Sequence, residues 1–323
     1  MNSNLFVAST PLQLLNATEA RNRFHSGQCN RLAVVRAPLR RGSPSASYHE
    51  ILRSLIDDQW SDVWYPDITK LRQLAFSLTA RSFIRSLRQV DALYVGSFQS
   101  PQCHLINSIA HNQLFLFDDG CSIHNVLQRL TESPGKQTWR HRVTLRKGAW
   151  PGEESVQAFT CFDVAWPKTR LIENDYRCLK DNLRRDTEVR TNEIVFIAQP
   201  ISSELGLEVD YNQIINYLLN HTGCSKCRII NHPKDRNPPS GGEVLSYPIE
   251  LFGMQEGYLP NFFATFFSTA VRTLKIIYDR PAICLEIDPK RVPHPLPYDL
   301  SCFYEDYRNS GFSIISHPQW ADS

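Results

Sequence analysis

Leu5-Phe6-Val7-Ala8-Ser9-Thr10-Pro11-Leu12 opens the chain with an apolar run that ends in a turn. Four apolar residues without polar alternation fit a strand covered on both faces, as in a parallel sheet. Ser9-Thr10-Pro11 then turns the chain, and a helix is expected from Leu12, with Leu12, Leu15, Ala17 and Ala20 among its packing positions. Strand, turn and helix in that order begin a βαβ unit, because a parallel neighbour is reached only through a crossover.

The same grammar recurs outward from this stretch. Arg31 to Arg36 reads as a second strand, followed by a Pro- and Ser-rich loop from Pro38 to Ser47 and a helix from Tyr48 to Ile56. Asp62 to Tyr65, Ala92 to Val95 and Gln113 to Phe117 supply further strands, the last ending in Asp118-Asp119-Gly120. Beyond a helix to about Leu130, residues 122 to 190 carry no pattern that assigns them, and the charged run Arg184 to Asn192 reads as a linker. A second series starts at Glu193-Ile194-Val195-Phe196-Ile197-Ala198, with a helix from Tyr211 to Leu219 and a strand from Arg228 to Asn231 that delivers His232. Tyr247-Pro248-Ile249-Glu250 leads to a loop. Ala264 to Phe267 is a strand that opens a helix at Ser268-Thr269-Ala270. Ile276 to Tyr278 and Ala282 to Leu285 complete the sheet, and a Pro-rich stretch from Pro289 to Pro297 precedes a final helix, Leu300 to Asn309. Two such series in 323 residues predict an α/β protein of two Rossmann-like domains, residues 1–188 and 189–323, facing each other across a cleft.

Composition narrows the function classes. A net charge of +2 provides no global field for nucleic acid, so any anion site is built locally. No run of about 18 apolar residues is present, and the chain begins in an apolar strand without the features of a secretion signal, which predicts a cytoplasmic protein. Nine cysteines, an odd number scattered along the chain, suit a reducing compartment. His221, Cys224, Cys227 and His232 have a spacing that could satisfy a tetrahedral zinc ion, but the two histidines flank a strand and no second Cys-x-x-Cys follows. A loop with reduced cysteines is the favoured reading. Between Thr69 and Val90, Leu71, Leu74, Leu78, Ile84 and Leu87 recur at helical spacing among Lys70, Arg72, Arg81, Arg85 and Arg88. Such a helix either lies on an anionic membrane surface or packs on the sheet with a solvated basic face.

Asp118, His232 and Ser268 all fall at predicted strand ends, where α/β proteins bind ligands. Pro233 holds His232 in extended backbone, since the residue before proline is pushed out of the helical region. An acid in one domain and an imidazole with hydroxyls in the other suit glycosyl transfer from a nucleotide donor. The carboxylate removes the acceptor's proton, and the imidazole stabilises the departing phosphate. Ser268 and Thr269, at a helix N-terminus, would add donors to that phosphate, although such residues also serve as simple caps. The turn after the first strand lacks the glycine fingerprint of a dinucleotide site, which argues against a nicotinamide or flavin oxidoreductase.

Phe6-Val7-Ala8-Ser9-Thr10-Pro11-Leu12-Gln13-Leu14, Asp118-Asp119-Gly120, His232-Pro233-Lys234 and Phe267-Ser268-Thr269-Ala270 together resemble bacterial sialyltransferases, most closely glycosyltransferase family 52, which modifies lipooligosaccharide. The resemblance implies a GT-B fold, CMP-sialic acid as donor, a galactose-terminated glycan as acceptor, inversion at the anomeric carbon, and no metal or other cofactor. It implies His232 as the general acid or phosphate-stabilising group, supported by Pro233 and Lys234. Glu250 falls where related enzymes hold the donor ribose, and Ser268 and Thr269 fall where they bind its phosphate or carboxylate. Ser9, Thr10, Pro11, Gln13, Asp119 and Gly120 are the matching substrate-side positions. The base is either Asp118, from the acidic pair before glycine, or Asp210, upstream of the His-Pro step; Asp210 is equally a candidate N-cap for the helix from Tyr211. Transfer of a related acid such as Kdo, polysialylation, and non-catalytic binding of a nucleotide sugar remain as alternatives. A homodimer and peripheral contact with the inner membrane are left open.

Overall fold

The computed structural model describes residues 3–35, 45–65, 73–87, 89–98, 100–120, 122–131, 151–183, 187–233, 235, 237–288, 290, 292 and 300–316. Two compact units make up the chain, one of Met1–Ser45 with His49–Cys178, the other of Ala46–Tyr48 with Leu179–Ser323.

The first unit is a seven-stranded parallel sheet. Its elements are β1 (Ser3–Ala8), α1 (Pro11–Phe24), β2 (Cys29–Val34), α2 (Ser45–Ser54), β3 (Asp62–Trp64), α3 (Gln73–Ser86), β4 (Val90–Val95), α4 (Ser100–Ser108), β5 (His111–Phe117), α5 (Ser122–Thr131), β6 (Val156–Thr160) and β7 (Leu171–Glu173). The strands lie in the order β3-β2-β1-β4-β5-β6-β7, so the order reverses between β1 and β4. Leu5, Phe6, Val7 and Ala8 are fully buried, as a strand covered on both faces requires. Tyr94 of β4 stacks between Phe6 of β1 and Phe115 of β5, with ring centroids 4.5 and 4.4 Å away, which packs three adjacent strands through one file of rings.

The helix predicted from Leu12 begins one residue earlier. Pro11 occupies its first turn, where a missing N–H costs nothing, and Thr10 caps it by accepting from the Gln13 N–H. In the predicted amphipathic segment, residues 66–72 and 88 lie outside the described residues. Within α3, Ala80 and Phe83 are buried, as is Leu87 just beyond it, and Phe83 stacks on Trp64 at 4.6 Å; Arg81 and Arg85 are exposed. The apolar side of this part therefore packs inward and the basic side meets solvent. Among the described residues no helix is long and apolar enough to cross a membrane.

The second unit is a five-stranded parallel sheet of β8 (Glu188–Ile197), β9 (Lys226–Ile230), β10 (Tyr258–Thr265), β11 (Ala282–Glu286) and β12 (Ser313–Ser316), in the order β12-β11-β10-β8-β9. Its longer helices are α6 (Tyr211–Thr222), α7 (Ala270–Tyr278) and α8 (Leu300–Asn309). Residues 188–192, expected in a linker, instead begin β8. The first half of β8 pairs Glu188, Val189 and Arg190 with Tyr258, Leu259 and Pro260, while β9 joins it only from Glu193. Ile276 to Tyr278, expected as a strand, form the last turn of α7. Val271, Leu274, Ile277 and Tyr278 are buried at helical intervals, and that period overrides the strand preference of the short apolar run. The Pro-rich stretch falls largely outside the described residues.

A buried amide network ties α1 to the ends of β5, β6 and β7. Asn16 donates to the Asp118 carbonyl and accepts from the Asn174 side chain, each at 3.0 Å, and the Asn174 N–H meets the Thr160 carbonyl at 2.8 Å. Asn16→Leu would leave two buried partners without a bond. With each orphaned group worth about 1–3 kcal/mol, unfolding free energy should fall by about 3 kcal/mol. A urea midpoint that moves by the equivalent of less than about 1 kcal/mol would show that the network is not stabilising.

Candidate functional site

In both units the strand ends, followed by turns into helices, gather at the carboxyl edge of the sheet, and the crevice at a reversal of strand order is where such sheets bind ligands. In the second unit that reversal lies between β8 and β10. Gln199, just past β8, is 9% exposed, and its side-chain oxygen accepts from the Phe267 N–H at 2.7 Å and from the Thr265 hydroxyl at 3.3 Å. One carboxamide thus sets the path of the chain from β10 into Ser268. Gln199 was not among the sequence candidates, since a glutamine after a strand carries no motif.

Ser268 lies where expected, before α7. Its hydroxyl accepts from the Ala270 N–H at 3.3 Å, and its carbonyl accepts from the Val271 N–H and the Tyr307 hydroxyl. Thr269 occupies the N-cap position without a side-chain capping bond. His232 lies two residues past β9 and is half-buried; its carbonyl accepts from the Asp235 N–H at 2.9 Å. Pro233 is half-buried beside it, and Lys234 lies outside the described residues.

Glu250 lies in a short 3-10 turn, Ile249–Leu251, packed against α7. Its carboxylate accepts from Thr273 of α7 at 3.4 Å, and its carbonyl from the Tyr278 hydroxyl at 2.7 Å. The side chain is 6% exposed, and burial pushes the carboxyl up to about 7, with its backbone hydrogen bond and the Thr273 bond pulling the other way. An acid placed this way presents a hydrogen-bonding group of variable protonation near neutral pH.

Asp210 caps α6, with Oδ1 accepting from the Asn212 and Gln213 N–H groups at 3.0 and 3.2 Å, and it is exposed. The cap predicted for it is formed. The four residues with zinc-like spacing have other surroundings. Cys224 Sγ donates to the Thr191 carbonyl at 3.8 Å, His221 stacks on Tyr217, and burial pushes the Cys227 thiol up to about 12. Among the described residues no group of three or more His, Cys, Asp or Glu side chains is placed to hold a metal.

In the first unit the reversal lies between β1 and β4, and the crevice is lined by neutral polar groups and one acid. The Ser9 N–H donates to Gln13 Oε1 at 2.7 Å, and the Thr10 hydroxyl donates to Asp119 Oδ1 at 3.1 Å. Gly96, just past β4, lies so close to Gln13 that a Cβ there would overlap the Gln13 carboxamide. Gly120 turns the chain after Asp119 with φ of 67°, a conformation that disfavours other residues. Asp118 does not line this crevice: it has no exposed surface, and its Oδ2 accepts from the Cys161 N–H at 2.8 Å. A cavity of about 420 Å³ lies at the opposite, amino edge of β5 and β6, beside His111, Gln157 and Arg170, away from the reversal of this sheet.

The placement of Glu250 has a consequence for stability. Its folded-state pKa lies above the ordinary value of 4.5, so its contribution is fully present below that value and is lost as pH rises through about 7. Between pH 5 and 8 the protein should lose on the order of 3 kcal/mol from this group, and Glu250→Gln should remove that part of the pH dependence. Urea midpoints at the two pH values decide it; an equal loss in the variant would mean that another group is responsible.

No family model matches this sequence, and no curated protein matches it. Solved structures match its fold. Glycosyltransferase VinC in complex with dTDP aligns with a TM-score of 0.50 at 11% identity, over 98% of this chain and 87% of that one. Spinosyn forosaminyltransferase SpnP gives a TM-score of 0.48 at 11% identity over 98% and 86%, and MurG of Acinetobacter baumannii 0.47 at 10% identity over 98% and 85%. At such identities the likeness is one of fold: the chain consists of two Rossmann-like units, as its strand and helix pattern implied, of the GT-B type, as the family resemblance implied.

Proposed function

We propose that this chain is an inverting sialyltransferase that moves sialic acid from CMP-sialic acid to a galactoside hydroxyl of a surface glycan. The observations that carry the reading are that His232 follows β9 and Ser268-Thr269 follow β10 at the carboxyl edge of the second sheet, and that the buried Glu250 bonds Thr273 of the helix that Ser268-Thr269 open, within a GT-B fold. The four short motifs that resemble family 52 supply the choice of donor and acceptor. Related CMP-activated acids share the carboxylate and the nucleotide, so they are the nearest rivals.

In this reading the second unit holds the donor. Glu250 takes the ribose hydroxyls, and Ser268 and Thr269 the phosphate or carboxylate at the start of α7, where the helix dipole favours negative charge. The acceptor oxygen attacks the anomeric carbon, the bond from that carbon to the phosphate oxygen breaks, and CMP leaves with His232 neutralising its developing charge. A carboxylate collects the acceptor's proton. Asp210 is the base in this reading because it is exposed, whereas an acceptor hydroxyl cannot reach Asp118 while that carboxylate has no exposed surface. Neither a metal nor another cofactor enters these steps.

His232→Ala should lower turnover of CMP-sialic acid with lactose by about 10²–10⁴-fold, the usual contribution of a general acid or base, with CMP binding retained. Near-normal turnover would remove His232 from the chemistry. Asp210→Asn separates the two roles of that residue, since Asn caps a helix about as well as Asp but cannot accept the proton. We expect an unchanged melting temperature and a turnover loss of similar size. Retained turnover would leave Asp210 as a cap alone.

A further inference from the structure

The crevice of the first unit contains a polar residue with no part in the scheme above. Gln102, on α4, is 1% exposed, and its Nε2 donates to Ser9 Oγ at 2.5 Å. Its Oε1 is buried without a hydrogen-bond partner, and so is the hydroxyl of Ser97, a residue 6% exposed that follows Gly96 at the end of β4. Buried polar groups are nearly always paired, so two orphans at one strand-order reversal mark a site that a ligand or water completes.

The direction of each bond tells what that ligand offers. The Ser9 N–H is taken by Gln13 Oε1, and the Gln102 amide occupies a lone pair of the Ser9 hydroxyl. An oxygen that already accepts keeps its own proton for another acceptor. Thr10 differs, because its hydroxyl both accepts from the Gln13 N–H and donates to Asp119. Ser9 is half-buried at the crevice, and no cation stands among Ser9, Thr10, Gln13, Ser97, Gln102 and Asp119. With a carboxylate beside the start of α1 and neutral groups otherwise, these described residues suit a neutral ligand better than an anion.

We propose that Gln102 is a positioning residue that turns the Ser9 proton outward, so that Ser9 donates to an oxygen of a neutral, hydroxyl-bearing ligand, the acceptor sugar. This rests on the sialyltransferase reading for the identity of the sugar, and on the crevice alone for its chemistry.

The test is calorimetric titration of the full chain with lactose, and separately with CMP, in wild type, Ser9→Ala, Gln102→Glu and the double variant. A glutamate at 102 accepts the Ser9 proton and withdraws the donor. Each single variant should bind lactose about 10-fold more weakly, the double variant no more weakly than either, and CMP affinity should not move. Coupling of that kind is what separates action through Ser9 from an unrelated packing defect. Gln102→Met, which carries no charge, serves if the glutamate variant does not fold, and should also weaken lactose. Wild type that does not bind lactose, single-variant losses that add in the double variant, or equal losses for CMP and lactose would each overturn the proposal. Hydrolysis of CMP-sialic acid by wild type in the same preparation shows separately whether the donor assignment stands.

Discussion

Both sheets are parallel throughout, and that constraint organises everything else in the molecule. A parallel strand cannot be followed by a tight hairpin; the chain must cross over, usually as a helix, and return to the edge where it began. Polar side chains placed at strand ends therefore collect on one edge of each sheet without any residue having to reach far. Ser9 and Gly96 both come to Gln13 in the first unit through this geometry, and Gln199, His232 and Ser268 share an edge in the second. The cost falls on the turns, whose backbone groups lose their ladder partners. The carboxamides of Gln13 and Gln199, and the hydroxyls of Thr10 and Ser268, supply the missing bonds.

Much of the fold could be read from residue order because its signals are local. Leu5 to Ala8 and Glu193 to Ala198 are apolar without alternation, and both are buried strands. Tyr211 to Leu219 follows an aspartate and lies within α6. What could not be read depends on contacts far along the chain. Val156–Thr160 and Leu171–Glu173 are short strands whose partners are β5 and each other, and nothing within five residues distinguishes them from loop. The charges in Glu188–Asn192 imitate a linker, yet these residues extend a strand whose neighbour, Tyr258 to Pro260, comes some seventy positions later.

The candidate site divides along the same line. The strand-end positions of His232 and Ser268 were legible because proline and the strand-to-helix change punctuate the sequence around them. The acids were harder to rank. Asp118 and Asp119 are adjacent, but the first is turned inward to the Cys161 N–H and the second meets Thr10 at the crevice. Alternation of that kind follows from the backbone at a strand end, and no property of two identical residues reveals which faces in. Gln102 and Gln199 are further from sight still, as a buried glutamine is recognised only by the groups it satisfies.

The opening half of β8 pairs with β10 alone, since β9 begins opposite Glu193, and its residues from Glu188 to Asn192 are largely exposed. Beyond the sheet proper it is a two-stranded ribbon, held in part by Arg190 over the ring of Tyr258. Ribbons of two strands are marginal by themselves, and elements with few buried contacts open at lower free energy than the core they adjoin. Amide exchange along this one strand is thus built to change abruptly near Glu193. The amides before it follow local fraying, and those after it follow unfolding of the whole unit. The boundary between two cooperative regions runs through a continuous strand and coincides with no loop.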